Sequence, residues 1–418
     1  MNPTAPTETL PPLHQMELDE IIKKHIMFEK TRPGGARAII KFKSLVGLDF
    51  RGANLSGADF TGSDLRNANL SNGNFHGSIF YGCSIQGANL ENGDFTRADF
   101  RGADVTGANM AGASLEGADL RQGAKVISQN SEGKPIESSH GKTTLKGADL
   151  ENANLKNARA AMVDLSDADL TSARMSHVDL SQANLQNANM TGADLTKANL
   201  EESMLNGAIM VGTDTTGTKF EGAIYEEVLT DAPVGKVLDY SEEEDPLIQL
   251  LKDHNLWLQH TGAKGKRIDL SGYDLRTLPS LGRYSLTAAI AEGAVFQGMT
   301  LMTAQMQSCK FDKSDFRDAK LRESDFRGTS FVEAKLTRAD LTKANLSPLF
   351  FSEDRKQAVN LSGADLSFAD LTECNLQEAI LKNANMKGAN LTRADFRGAD
   401  MEGADLENAI LEKVKMDS

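Results

Sequence analysis

A large apolar residue returns at every fifth position over long stretches of the chain. From Leu45 the series runs through Phe50, Leu55, Phe60 and Leu65 to Leu120 without a miss. It resumes at Leu145 and continues to Tyr225, with Ala160 and Thr215 as its weakest members. A second array, shifted by one residue, runs from about Leu281 to Met416. A small residue sits two positions before most of these: Ala53, Ala58, Ser63, Ala68, Gly73 and Ser78. A period of five matches neither the helical 3.6 nor the strand 2.0. It fits one short side of a square coil of about twenty residues. The large and the small residue then point inward, and the Asp or Asn between them points out. The two residues that follow, rich in Ser, Thr, Arg, Gly and Asn, make the corner.

Stacked coils repeat at about 4.8 Å, which gives a first rod of roughly 40 Å and a second of roughly 34 Å. Residues twenty apart share a column. Phe60, Phe80 and Phe100 are predicted to stack inside the first array, and Phe311, Phe331 and Phe351 inside the second. Cys83, Cys309 and Cys374 each hold the small inward position and read as buried replacements for Ala.

The motif Ala-(Asp/Asn)-Leu-X-X, as in Ala53-Asn54-Leu55-Ser56-Gly57 and Ala389-Asn390-Leu391-Thr392-Arg393, resembles the pentapeptide-repeat family. The resemblance covers roughly three quarters of the chain. It implies an all-β solenoid of right-handed quadrilateral β-helix. Its implication for function is weaker, because most members have no assigned biochemical role. The best-known activity in the family is DNA mimicry directed at DNA gyrase.

Two segments of like pattern precede the arrays. Leu18 to Phe28 and Leu247 to Trp257 align at a constant offset, and each leads to a Gly/basic stretch. Both have helical apolar spacing. Asp245 followed by Pro246 is a helix start with Pro at the first position. A bare coil end exposes unpaired backbone groups that need a cover, so each helix is expected to cap an array. His25 and His254 are placed on the packed face beside Phe28 and Trp257, as structural histidines. The expected organisation is a segment 1–44 with the first cap, a first β-helix 45–225 with a protruding loop 121–144, an acidic linker and second cap 226–268, and a second β-helix 269–418. The final coil has no helix after it and is a candidate homodimer contact.

Two interruptions stand out. The gap from Leu120 to Leu145 holds Val126, Ile127, Glu132 and Lys134, and reads as a hairpin-like loop. After Phe351 comes Ser352-Glu353-Asp354-Arg355-Lys356-Gln357. The repeat would put Asp354 and Lys356 inside a narrow apolar shaft, which costs too much, so this segment must bulge outward. Loops on rigid scaffolds carry function disproportionately. Val126, Ile127, Glu132, Lys134, Glu353, Arg355 and Lys356 are therefore the candidate partner-binding residues.

Charge and composition narrow the function. The formal net charge is −14, which disfavours direct nucleic-acid binding. Half of it lies in residues 226 to 253. Elsewhere outward acids alternate with Arg51, Arg66, Arg97, Arg101, Arg317, Arg327 and Arg397, unlike the unbroken negative stripe a DNA mimic requires. There is no run of apolar residues long enough to span a membrane. Three cysteines without a CxxC pair, and no secretory-signal pattern at the start, point to a reduced compartment, the cytoplasm of a bacterial cell. No nucleophile–base pair, metal motif or phosphate loop is present, so no cofactor and no enzymatic activity are expected. His76, His140 and His177 stand without partners in sequence. The leading expectation is a non-enzymatic scaffold for a protein partner, and the alternative is a gyrase-directed DNA mimic.

Overall fold

The computed structural model describes residues 10–129, 135–237, 246–276, 278, 281, 284–352 and 354–417. The chain divides into two compact units, Met1–Asp231 and Ala232–Ser418.

In the first unit, parallel bridges join Asp49 to Asn69, Asn69 to Asn89 and Asn89 to Asn109. Each residue thus lies over the one twenty positions ahead. Phe50 N–H donates to Asn69 O at 2.7 Å, and Asn69 N–H donates back to Leu48 O at 2.9 Å. A side of five residues shares its ends with corners, so only its middle is extended. At the corner Ala53 N–H donates to Phe50 O at 2.9 Å. Gly52, third in that turn, has φ +64°, which L side chains adopt at a cost. Asn67, Asn72 and Asn92 take the equivalent place elsewhere, as the residue type that best tolerates it.

The outward Asp or Asn has a specific task. Asn74 Oδ1 accepts the His76 N–H at 3.0 Å, and Asp94 Oδ1 accepts the Thr96 N–H at 2.9 Å. The side chain closes an Asx turn over a corner N–H that no neighbouring coil serves. Inward, Phe60, Phe80 and Phe100 stack at 4.9 Å between centroids, with planes within 8°. Phe75 and Phe95 form a second column on the next face, at 5.2 Å. The two columns meet edge-on, as between Phe75 and Phe80, the arrangement the ring quadrupoles favour.

The array starts earlier and ends later than its large-residue series. Ala38, Ile40 and Phe42 are buried, and Ile39 bridges to Asp59. At the other end Ile209 bridges to Leu229. Before the first coil lies α1 (Gln15–Glu29), whose Glu17 carboxylate accepts the His14 N–H at 2.9 Å. Two of its side chains bond to coil-edge backbone. The Gln15 amide accepts the Asp49 N–H at 2.9 Å and donates to Asp49 O at 2.8 Å, as a neighbouring strand would. His25 Nδ1 accepts the Ala38 N–H at 3.0 Å, and its Nε2 lies 3.0 Å from Ser56 O. That pairing requires the neutral ring with its proton on Nε2. Phe28 departs from its expected place: it is 48% exposed. The buried stripe of α1 runs through Leu18 and His25, and Phe28 falls off it in the last turn.

Between Leu120 and Leu145 the first unit carries an antiparallel hairpin, β1 (Gly123–Gln129) and β2 (Pro135–Gly141). Across it Asp104 bridges to Thr144 and Asp119 to Arg159. The faces therefore continue unrotated.

In the second unit Lys236 bridges to Tyr273 of the coil that follows α2 (Pro246–Gln259), and Asp245 lies outside the described residues. Asp269 pairs with Ile290 and Asp274 with Val295, an offset of twenty-one; from Ser285 and Gln305 the offset is twenty. The one-residue slip lies where Leu275 and Leu281, six apart, are both buried. Pro279 and Arg283 lie outside the described residues. Phe296 and Phe316 stack at 4.4 Å, and Phe311 and Phe331 lie 5.4 Å apart. The column does not continue to Phe351, which is 52% exposed. Instead Phe331 N–H donates to Asn360 O, and Leu361 takes the next inward place. Between Ser347 and Val359 the chain leaves the coil as a second hairpin, β3 (Leu349–Phe350) and β4 (Lys356–Gln357).

Candidate functional site

The two hairpins are the largest departures from the repeat, and the backbone anchors both. At the root of the first, the buried Thr143 hydroxyl donates to Arg121 O at 2.8 Å and accepts the Gly102 N–H at 2.9 Å. One side chain thus ties the returning strand to the outgoing one and to the coil beneath. A Cβ on Gly123 would stand 2.7 Å from the Arg101 carbonyl carbon, so only glycine lets the chain leave the coil so closely. Val126 and Ile127 lie on β1; Glu132 and Lys134 lie outside the described residues.

The second hairpin is shorter and pinned from both sides. Leu349 pairs with Gln357 and Phe350 with Lys356. The Gln357 amide donates to Gly328 O, and the Lys356 ammonium pairs with Glu378. The Asp354 and Lys356 side chains stay out of the shaft, as their charge requires. Glu353 lies outside the described residues. The Arg355 guanidinium sits 5.1 Å from the Phe351 ring centroid. The exposed pair Phe350 and Phe351, at 59% and 52%, is the surface feature that sequence reasoning missed. Phe351 falls in phase with the inward series and so looks like core.

Outward charge is organised by a two-residue rule. Asp49–Arg51, Asp64–Arg66, Asp99–Arg101, Asp119–Arg121, Asp274–Arg276, Asp315–Arg317, Asp325–Arg327 and Asp395–Arg397 are close ion pairs. In each, both residues flank one inward side chain and point to the same face. The Arg397 guanidinium holds the Asp395 carboxyl well below the usual carboxylate range. Arg317, although outward, is only 2% exposed. Asp149 is the reverse case: burial, then the neighbouring Asp169, Glu151 and Glu91, push its carboxyl up.

Groups that could do chemistry are muted. The Cys83, Cys309 and Cys374 thiols are buried and donate to Phe60 O, Leu286 O and Leu341 O. Burial pushes the Cys309 thiol up to about 12, and the other two up as well. Thiolate, the reactive form, is thereby suppressed. His254 Nδ1 accepts the Ile268 N–H at 3.2 Å, and its ring stacks on Trp257 at 5.9 Å. Its Nε2 is buried on the Thr287 side. Burial first, and the nearby Arg267 charge, push this imidazole below its ordinary value. Among the described residues no group of three or more His, Cys, Asp or Glu is placed to hold a metal ion. No helix among them is long and apolar enough to cross a membrane. A depression of about 510 Å³ lies at the last coil of the first unit, lined by Leu205, Met210, Phe220, Tyr225 and Val228.

Square coils with a period of five, an inward large–small pair and an outward Asx residue define a solenoid of the β-helix class. Eight copies of the family profile described as pentapeptide repeats match residues 44–82, 83–122, 142–171, 173–212, 183–222, 309–347, 360–398 and 374–413. They cover more than half of the chain, and the protein belongs to the pentapeptide-repeat family, whose members are right-handed β-helices. No curated protein sequence matches the chain. Among solved structures, it is similar to QnrB1, a plasmid-mediated fluoroquinolone resistance protein, at 17% identity over 46% of this chain and 92% of that one, with a TM-score of 0.29. It is similar to HetL of the cyanobacterium Nostoc sp. strain PCC 7120, involved in heterocyst differentiation regulation, at 20% identity over 93% of each chain and a TM-score of 0.16. Rfr23 of the cyanobacterium Cyanothece 51142 matches at 23% identity over 37% of this chain and 90% of that one, with a TM-score of 0.19.

Proposed function

We propose that this protein is a non-enzymatic interaction module: two β-helices, each preceded by a capping helix, that hold short hairpins out to a protein partner. The observation that carries this reading is the Phe350–Phe351 pair. Two adjacent phenylalanines more than half exposed are costly to leave in water, at about 25 cal/mol per Å² of apolar surface. The hairpin that bears them is pinned by Gln357 and Lys356, so little conformational freedom is left to lose on binding. Aromatic and arginine side chains dominate the centres of protein interfaces, and Arg355 stands against the ring. The Asp–Arg pairs weigh against the alternative of a gyrase-directed DNA mimic, because they interrupt any continuous negative stripe. The last coil, with Ile410, Leu411 and Met416 about half exposed, supports a self-contact there. Deleting residues 399–418 should then lower the mass seen by light scattering.

The test is quantitative affinity purification from the native host with the full chain and with a Phe350→Ala/Phe351→Ala double variant. The expected result is loss of one or more specific partners by the variant at unchanged thermal stability. Identical partner sets from both proteins would sink the reading.

A further inference from the structure

We infer that the open end of the first β-helix, residues 211–231, takes up an extended basic–apolar segment of a protein partner as an added strand beside Tyr225. The inference rests on the interaction reading, but it uses a different unit and different contacts from the phenylalanine pair.

Each side of a coil presents one backbone pair to the coil that follows. Leu205 N–H donates to Ile224 O at 2.7 Å, and Ile224 N–H donates back to Ser203 O at 2.9 Å. The last coil has three such pairs with nothing after them. These are Thr215 N–H with Thr213 O, Phe220 N–H with Thr218 O, and Tyr225 N–H with Ala223 O. None of the six groups meets a hydrogen-bond partner among the described residues. Only the fourth side is continued, where Leu229 pairs with Ile209. The opposite end of the same rod is closed. There Pro12 bridges to Ser44 and Ile39 to Asp59, and Gln15 serves Asp49 as a strand would. An edge left open is a template for a further strand.

The open edge stands on fixed backbone. Thr213 and Thr218 hold small inward positions, and their hydroxyls donate to Met190 O at 2.7 Å and Leu195 O at 2.6 Å. These bonds tie the last coil to the one before it. Beside the free pairs lies the depression of about 510 Å³ lined by Leu205, Met210, Phe220, Tyr225 and Val228. In an intact coil the residue after the bridging one fills the shaft, as Leu205 does after Met204. A strand that bonds to Tyr225 N–H and Ala223 O therefore sends its next side chain into this depression and the flanking ones outward.

Charge selects the partner. Residues 211–231 carry Asp214, Glu221, Glu226, Glu227 and Asp231 against Lys219. The Lys219 ammonium already pairs with Glu201 at 3.6 Å. The coil before adds Asp194, Glu201 and Glu202 against Lys197. The rim is negative, and all five acids of the last coil are exposed. Two such rims repel one another, which disfavours a second copy of this chain at the same edge. A strand that alternates basic and large apolar residues matches the backbone pair, the depression and the rim together.

The test uses the full chain and a fluorescein-labelled hexapeptide alternating Lys and Leu, read by fluorescence anisotropy and by hydrogen exchange at the Tyr225 amide. Saturable binding is expected, with that amide gaining protection. Tyr225→Pro removes the free N–H at a residue that is 62% exposed, and Glu221→Lys/Glu226→Lys reverses part of the rim. Each should weaken binding by about fivefold or more, and Glu412→Lys in the second unit should leave it unchanged. The inference is overturned by absence of saturable binding, by binding without added protection at Tyr225, or by full binding in either variant. Equal binding of a hexapeptide alternating Glu and Leu would also overturn it. So would a light-scattering mass that Tyr225→Pro lowers, which places a second copy at this edge. None of these outcomes bears on the phenylalanine hairpin, whose own test reads the second unit.

Discussion

Phe331 and Phe351 stand twenty positions apart and, by period alone, are equivalent. The structure makes them opposites, and alanine substitution separates them. Phe331 is fully buried, with ring centroids of Phe311, Phe316 and Phe326 at 5.4, 5.7 and 5.2 Å. A buried phenylalanine removes roughly 150–200 Å² from water, which at about 25 cal/mol per Å² is worth roughly 4–5 kcal/mol. Measured Phe→Ala changes in cores fall at about 3–5 kcal/mol. Phe351 keeps half its surface in water, and its ring contact is an exposed cation–π pair worth about 0.5–1 kcal/mol. In a solenoid each coil touches only its neighbours, so the damage stays local. Hydrogen exchange is therefore the better assay. In Phe331→Ala the amides of Phe331 and Asn360, which bond across this column, should lose more than about a hundredfold in protection. In Phe351→Ala they should change by less than about fivefold. Equal losses in the two variants would refute the assignment of the second hairpin and restore Phe351 to the core.

Three further outcomes follow from particular contacts. Gly388→Ala places a Cβ 2.5 Å from Phe368 Cε1 at a φ of +64°; it should cost about 1–3 kcal/mol in urea denaturation, and Phe368→Ala should recover part of that. Gln15→Ala removes both bonds to the Asp49 backbone and should weaken the first coil by about 1–2 kcal/mol, read as faster exchange at Asp49. The His254 imidazole is held below its ordinary value of 6.5, so the unfolded chain takes up the proton first as pH falls. The contribution of His254 is complete above pH 6.5 and declines below it. Exchange at the Ile268 amide should accelerate from pH 7 to 5 beyond the intrinsic pH effect, and His254→Gln should flatten that dependence.

The coil was legible in the sequence because its core is one-dimensional. Every inward residue meets the same surroundings, so the chain repeats itself. What stayed hidden has one physical cause. From Leu120 to Leu145 and from Leu346 to Leu361 the spacing is a multiple of five, and such insertions leave the phase intact. Both betrayed themselves because polar residues fell on inward positions, Lys125 and Asn130 in the first and Lys356 in the second. The second also put Phe351 on one, and nothing in the period distinguishes a phenylalanine stacked in the shaft from one on a hairpin. The pairing of Asp119 with Arg159 was hidden for the same reason, since stacked neighbours stand forty apart across the first hairpin.

The phase rule also bears on where specificity can reside in such a fold. An insertion of any other length would turn every following large residue away from the shaft. The one-residue slip between Leu275 and Leu281 is tolerated only because the coil pairing there shifts to an offset of twenty-one. Insertions in multiples of five leave the stack undisturbed, and their tips are free of packing constraints. The repeat sides cannot vary inward without loss of core, and outward they are occupied by Asx turns and Asp–Arg pairs. New chemistry therefore enters at in-phase insertions and at slots where the outward rule is broken. Phe350 and Phe351 stand on an insertion of the first kind.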